Sequence, residues 1–472
     1  MTPPGVVAPS REDPLVAALS PVVGGPGGRR VRAAGRSRWR AVRVLVVLAM
    51  VVLALGVVEK QHCRAQGWTS PDQFFHGCYS DLPIVYQSAG LRDGVTPYAE
   101  DGAAGSRLEQ PVLTGLALWA IAEVVPDGDV LRQTRWYFDI STVVVAGLLA
   151  ALVALTVASA GRRRPWDAAL VALCPLLALS ALVSLDLFGV TLAAAGLLAW
   201  GRRRPVAAGV LLGLAVMART YPAVLLLVLG MLALRAGRLR SWLVTAGVAA
   251  ATCLAVLLPW LLLNADGVLA TYRAWAKAPA GYGSLWLLPQ TALAEPRPAW
   301  MTRAGIDPVT LSTTAVTALA VVGVIAALVV GLLLTLTPQR RPRVAQVAFV
   351  VLAIVLLTSK SWPVQASLWL LPLAALAHPR WRDHLIWVGV EAGYFMAVWL
   401  YIAAGTNANR GLPATWYSVF VIARLAGLLW LVWLVVREIR DPVRDVVRAD
   451  GVDDPLGGPL DDAPDALVIK VT

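Results

Sequence analysis

The sequence predicts an all-α polytopic membrane protein with about 12 transmembrane helices and a large first extracytoplasmic loop. Of its 472 residues 58% are hydrophobic and only 15% are charged, a balance too apolar for a soluble protein. Apolar runs recur from residue 42 to residue 436. Many approach the roughly 20 residues that a helix needs to cross about 30 Å of hydrocarbon.

Clusters of arginine between the apolar runs predict the topology. They lie at 162–164, 202–204, 235–240, 340–343 and 380–382. Because cytoplasmic loops carry an excess of Lys and Arg, we place these joints and the basic N-terminal segment on the cytoplasmic side. This arrangement requires twelve crossings and puts both termini in the cytoplasm of a multi-pass plasma membrane protein. The net charge of +12 then reflects topology, and no nucleic-acid partner is predicted.

The twelve predicted spans include several that are short. They are 42–58, 137–160, 166–184, 187–201, 206–218, 221–236, 241–263, 311–336, 344–358, 366–379, 385–404 and 415–436. The first is interpreted as a retained span, because no small-residue cleavage site follows it. The pair on either side of Arg219 is too short to cross alone and needs protein or a water-filled cavity beside its ends. A ten-crossing arrangement with re-entrant hairpins stays open.

One membrane domain, residues 41–440, accounts for most of the chain. Its longest outer loops are predicted at 59–136 and 264–310, and any chemistry is expected there. The tails 1–40 and 441–472 are rich in Pro, Gly and charge, which predicts disordered cytoplasmic segments.

Asp81 is the strongest candidate for a reactive group. It lies in the first outer loop among aromatic and aliphatic residues, where partial desolvation would raise its pKa and favour use as a general base. Glu109 is a second acid in an apolar setting. For each, the alternative is a structural carboxylate that caps a helix or forms an ion pair.

The same loop contains two cysteines, Cys63 and Cys78, which predict a disulfide on the oxidising side of the membrane. His62 and His76 flank them without a recognised zinc spacing, so no metal site is predicted. Nucleotide-binding and nucleophile-elbow motifs are absent from the sequence, and no cofactor is predicted.

Basic residues at membrane depth are costly and are therefore candidates for function. Arg219 and Lys360 lie at predicted outer helix junctions, where either could bind a phosphate, or could instead extend to the membrane interface. Arg424 falls within the last predicted span and is expected to face Asp186 or Glu391.

Several short motifs resemble glycosyltransferase family 87, of the GT-C membrane class. They are Asp81-Leu82 with Tyr86 downstream, Gly-Val-Thr-Pro-Tyr at 94–98, Glu-Gln-Pro-Val-Leu-Thr-Gly at 109–115, Arg-Thr-Tyr-Pro at 219–222, and Ser-Trp-Pro-Val-Gln-Ala-Ser-Leu-Trp-Leu-Leu-Pro at 361–372. The resemblance covers roughly residues 42–440. It implies a GT-C-like bundle and an actinobacterial-type α-1,2-mannosyltransferase that uses a polyprenyl-phosphate sugar donor.

The resemblance also implies roles for individual residues. Asp81 would deprotonate the acceptor hydroxyl of an envelope glycolipid or lipoglycan on the extracytoplasmic face, with inversion at the sugar carbon. Our own hypothesis adds that Arg219 and Lys360 contact the donor phosphate, that Glu109 supports the acceptor or the site geometry, and that Tyr221 and Gln365 belong to the substrate-binding set.

The main alternative is a membrane transporter or lipid flippase, and a scaffold subunit of an envelope assembly is a third possibility. In the transporter, Arg219, Asp186, Glu391 and Arg424 would line a pathway at the middle of the membrane. Inverted internal repeats would be its signature, and we detect none in the sequence.

Overall fold

The structure is a computed structural model that describes residues 13–28, 38–99, 108–294, 299–407, 409–449 and 453–469. Within these ranges every regular element is helical. Helices of eight or more residues are α1 Pro14–Gly28, α2 Arg38–Gln66, α3 Asp81–Ser88, α4 Val112–Ala122, α5 Val130–Ser159, α6 Asp186–Gly201, α7 Pro205–Ala218, α8 Pro222–Arg235, α9 Leu239–Lys277, α10 Thr313–Leu336, α11 Val344–Leu357, α12 Ser367–Ala377, α13 Trp381–Ala404 and α14 Ala414–Arg440.

Six of these helices are long and apolar enough to cross a membrane by length and composition. They are α2, α5, α9, α10, α13 and α14. Helix α2 shows how the sequence produces such an element, since Leu45, Ala49 and Leu53 form a buried stripe at helical spacing. Val47, Val51 and Leu55 are equally apolar but exposed. Helices apolar on their outer face as well belong in lipid, so the chain is an α-helical membrane protein.

The remaining predicted spans are shorter helices or broken segments. Five correspond to helices of 10–17 residues, and the twelve-span topology stays a prediction. The predicted span 166–184 does not form one helix. It consists of three short pieces, Pro165–Ala168, Ala169–Ala172 and Pro175–Ser180. Cys174 has an extended backbone because the residue before a proline is disfavoured in the helical region.

Helix α7 packs closely against α9 because two of its glycines leave room for the neighbouring backbone. A Cβ atom on Gly209 would lie 2.6 Å from the carbonyl oxygen of Thr245, and one on Gly213 would lie 2.7 Å from that of Ala249. This is the spacing by which small residues bring membrane helices together. The contact fixes the helix that ends immediately before Arg219.

The described parts of both tails contain helices and contact the bundle, and the disorder predicted for 1–40 and 441–472 stays a prediction. Helix α1 lies in the N-terminal tail, and the Asp13 carboxylate accepts a hydrogen bond of 2.9 Å from the backbone N–H of Trp381. In the C-terminal tail, Asp445 and Asp465 pair with Arg343 and Arg235. Arginines of the connections between predicted spans therefore bind carboxylates of the C-terminal tail. The sequence did not reveal these pairs because the partners are far apart in the chain. Residues 1–12, 29–37, 450–452 and 470–472 lie outside the described residues.

The ion pair between Arg343 and Asp445 predicts a large effect on stability. Both side chains are almost completely buried, and Nε lies 2.7 Å from Oδ2. We expect Asp445→Ala to lower the free energy of unfolding by about 3–5 kcal/mol, because it leaves a buried guanidinium without its carboxylate. Thermal unfolding of the detergent-solubilised protein measures this loss.

The matched control is Asp441→Ala. Its partner is Arg444 at 2.7 Å, and both side chains are about half exposed. This change should cost no more than about 1 kcal/mol. Equal melting temperatures for the two variants would contradict the packing of the tail against the bundle.

Candidate functional site

The backbone around Asp81 is held firmly in place. Ser80 caps α3, with its hydroxyl accepting a hydrogen bond from Leu82 N–H and donating one of 2.7 Å to the carbonyl of Leu182. The backbone N–H of Asp81 donates to the carbonyl of Val183 at 2.7 Å. These contacts tie the first turn of α3 to the segment just before α6, and so fix the direction of the Asp81 side chain.

Asp81 lines a cavity of about 380 Å³ whose walls are mainly aromatic and aliphatic. The residues that line it with Asp81 are Phe74, Tyr79, Val183, Tyr282, Pro363, Val364, Gln365, Tyr394, Val398, Trp399 and Ile402. Its size and composition suit a small-molecule site, in which an apolar wall surrounds a few directed polar groups.

Two side chains donate hydrogen bonds to the Asp81 carboxylate. The Tyr79 hydroxyl donates to Oδ1 at 2.7 Å, and the amide of Gln365 donates to Oδ2 at 3.3 Å. Of the residues predicted for the site, Gln365 is thus the one that directly contacts Asp81. Both bonds hold the carboxylate at the cavity wall in a defined orientation.

Burial raises the pKa of Asp81 from 3.8 to about 6, because protein surrounds the carboxylate except where it meets the cavity. The hydrogen bond from Tyr79 opposes this rise, the charge of Asp186 adds to it, and the charges of Arg219 and Lys60 lower the pKa. A carboxylate with a pKa near 6 is ionised at neutral pH and is still basic enough to accept a proton.

The aromatic wall was not predicted from the sequence. Tyr79 stacks on Phe74 and lies at a tilt against Trp399, with ring centroids 5.4 Å and 4.7 Å away. Phe74 and Tyr79 are close to Asp81 in sequence, but Trp399 comes from α13. The aromatic residues of the loop do not reveal, from the sequence alone, that α13 supplies the third ring of the wall.

Lys60 is a further residue near Asp81 that the sequence analysis did not identify. It is completely buried on α2, and its ammonium lies 2.9 Å from the Glu59 carboxylate and 5.4 Å from the centre of the Phe395 ring. Lys60 follows a long apolar run. A lysine in this position is readily interpreted as a residue at the end of a helix whose side chain extends to water, and this is why its burial was not predicted.

Arg219 is held by a dense set of side chains. Its Nε and Nη2 atoms lie 2.8 Å and 2.9 Å from the two oxygens of Asp186, which is buried. Nη1 donates to the side-chain oxygen of Gln110 at 2.6 Å. The Asp186 carboxylate also accepts hydrogen bonds from Ser184 and Trp369. The charge of Arg219 lowers the pKa of Asp81, although Arg219 is already paired with Asp186.

Among the predicted substrate-binding residues, the described lining of the Asp81 cavity includes Gln365 but not Arg219, Lys360, Tyr221 or Glu109. Lys360 Nζ lies 2.7–3.2 Å from the carbonyl oxygens of Trp275, Ala276 and Ala278, where it caps the end of α9. Tyr221 is buried and stacks on Trp369, with ring centroids 4.9 Å apart. Glu109 is exposed shortly before α4.

Cys63 and Cys78 form a disulfide, with Sγ atoms 2.00 Å apart. It joins the end of α2 to the residue immediately before Tyr79. The bond therefore limits how far the cavity wall can move relative to α2.

Arg424 pairs with Glu391, one of its two expected partners, with Nε 2.9 Å from Oε2. Its guanidinium also donates to Ser367 and to the carbonyls of Trp362 and Pro363. The other expected partner, Asp186, binds Arg219 instead.

A scan against protein-family models finds no match to this chain, and a search of curated proteins finds no significant similarity.

The raised pKa of Asp81 predicts how stability depends on pH. The unfolded chain loses this proton near pH 3.8 and the folded protein near pH 6, so the folded state becomes less stable as pH rises between these values. We expect Asp81→Asn to be more stable than the parent protein by up to about 3 kcal/mol at about pH 8, with little difference near pH 4. Unfolding curves measured at both pH values test this, and a destabilised variant at about pH 8 would contradict it.

Proposed function

We propose that this protein is a membrane glycosyltransferase that moves a hexose, mannose by the motif resemblance, from a polyprenyl-phosphate donor to an envelope glycolipid or lipoglycan. The observation that carries the proposal is a carboxylate with a pKa near 6 at the wall of an aromatic cavity. The motif resemblance of residues 42–440 supplies the substrate class. The proposed location is the extracytoplasmic face of the plasma membrane.

The proposed reaction needs one base and one leaving group. Asp81 accepts the proton of the acceptor hydroxyl as the oxygen attacks the anomeric carbon. The bond between that carbon and the phosphate oxygen breaks, and polyprenyl phosphate leaves with the electron pair and a negative charge. Attack from the face opposite the phosphate inverts the configuration. The hydrogen bonds from Tyr79 and Gln365 orient the carboxylate for this transfer.

The cavity wall suits a sugar attached to a lipid. The clustered rings of Phe74, Tyr79 and Trp399 provide apolar surfaces for the faces of a sugar ring or for the first isoprene units. A donor that arrives through the membrane requires no nucleotide-binding loop, which agrees with the absence of such motifs from the sequence.

Arg219 is the candidate partner of the donor phosphate. Its charge acts on Asp81, and its Nη1 atom is bound to a neutral amide, Gln110, that a phosphate oxygen could replace. The bidentate contact with Asp186 would meanwhile keep the guanidinium oriented. Lys360 would have to leave three carbonyl oxygens to take part, which makes it the weaker candidate.

No specific observation favours the transporter. Arg219 and Arg424, which would line its pathway, are each bound to a carboxylate and to further hydrogen-bond acceptors. A pathway through these groups would require both buried ion pairs to open, at considerable cost.

The proposal predicts that Asp81→Asn abolishes sugar transfer. Removing a general base should lower the rate by about 100-fold or more, because asparagine cannot accept the proton. The assay follows labelled mannose from polyprenyl-phosphate mannose into membrane glycolipid. Asp93→Asn is the control, since Asp93 lies in the same loop, is half exposed and pairs with Arg92. Full transfer by the Asp81 variant would refute the proposal.

Tyr79→Phe provides a test of the base assignment. Its hydroxyl lowers the pKa of Asp81, so its removal should raise that pKa and move the rising limb of the pH–rate profile to higher pH. Initial rates between about pH 5 and pH 9 measure the change. A lower rate with an unchanged profile would mean that Tyr79 acts only through the shape of the cavity.

A further inference from the structure

Three side chains with metal-binding atoms meet beside the disulfide. His62 lies near the end of α2, Asp72 begins the short helix Asp72–Phe75, and His76 directly follows that helix. One ligand atom from each lies within 4.8 Å of those of the other two. We call these three residues the His-Asp-His cluster. It plays no part in the proposed transfer reaction.

Of the two distances within the cluster, one is close to the distance between two ligands of the same metal ion and the other is shorter. His62 Nε2 lies 2.6 Å from Asp72 Oδ2, and His76 Nδ1 lies 3.2 Å from Asp72 Oδ1. Ligands bound to zinc at about 2.0–2.2 Å in a tetrahedron are roughly 3.3 Å apart. The three side chains are 39–46% exposed and can rotate. To admit an ion, these side chains rotate so that His62 and Asp72 separate and His76 Nδ1 leaves the Asp72 carbonyl oxygen, which it contacts at 3.0 Å.

The covalent structure brings these residues together independently of any ion. The disulfide between Cys63 and Cys78 joins the residue after His62 to the residue two positions after His76. Asp72 and His76 are four positions apart and face the same side of one turn. The two imidazole rings already stack, with centroids 3.7 Å apart. Little chain entropy would be lost on binding, because the ligand set is assembled beforehand.

We propose that the His-Asp-His cluster binds Zn²⁺ or a similar divalent transition metal ion. Two imidazole nitrogens and one carboxylate oxygen form a set that zinc accepts, and water completes the coordination. The bound ion links α2 to the segment that carries Phe74 and Tyr79, and so stiffens one wall of the Asp81 cavity. The inference does not depend on the proposed transferase activity, because it concerns binding by these side chains alone.

Zinc binding to the tag-free, detergent-solubilised full chain tests the proposal. After treatment with a chelator and its removal, calorimetric titration with zinc chloride should give one site per chain, and zinc should raise the melting temperature. His62→Ala and His76→Ala should each weaken binding at least about tenfold and abolish the rise in melting temperature. The chain has four histidines, and the other two, His378 and His384, are buried.

Gln61→Ala is the matched control. Gln61 is an exposed neighbour of His62 whose amide donates to the Val57 carbonyl, outside the cluster. It should bind zinc as the parent protein does. The proposal is overturned if the parent protein binds no zinc, or if both histidine variants bind it as tightly as the parent. Elution of the variants at the parent volume on size exclusion shows that any loss of binding is not a loss of fold.

Discussion

A charged side chain buried in an apolar bundle is costly unless an opposite charge and hydrogen bonds compensate it, and this requirement organises the structure. Arg219 pairs with Asp186, and Arg424 pairs with Glu391. Asp186 begins α6 and Arg219 directly follows α7, while Glu391 and Arg424 lie on the consecutive helices α13 and α14. In such an environment the positions of the paired charges fix which helices can neighbour one another, because a shifted helix would leave a guanidinium without a partner.

Asp81 is the informative exception to this pattern. Its oxygens accept hydrogen bonds from the neutral side chains of Tyr79 and Gln365, while the nearby cations Arg219 and Lys60 are bound to other acids. Because these cations do not contact Asp81 directly, they do not fully offset the effect of burial, and burial raises the pKa of Asp81. A group that is buried but uncompensated is expected at a place where a protein uses a proton, since a purely structural carboxylate gains stability from a direct cation.

The sequence predicted those features that depend on composition and local order. The apolar runs located most of the helices, the loop cysteines predicted the disulfide, and the apolar surroundings of Asp81 predicted its desolvation. The partners of charged groups were harder to predict, because a linear sequence does not reveal which helices are neighbours. Lys360 illustrates the difficulty, since its position at a helix junction is compatible with a phosphate or with the carbonyl oxygens that it binds.

The C-terminal tail has a consequence for how the protein is made. Arg235 and Arg343 are buried and bind Asp465 and Asp445, which follow the last long helix. Translation proceeds from the N-terminus, so both arginines leave the ribosome well before the acids that neutralise them. During that interval their positive charges can help to retain the flanking helix ends on one side of the membrane. The tail would then bind after the orientation is set, so the same guanidiniums would first act as signals for insertion and later as parts of a closed interface.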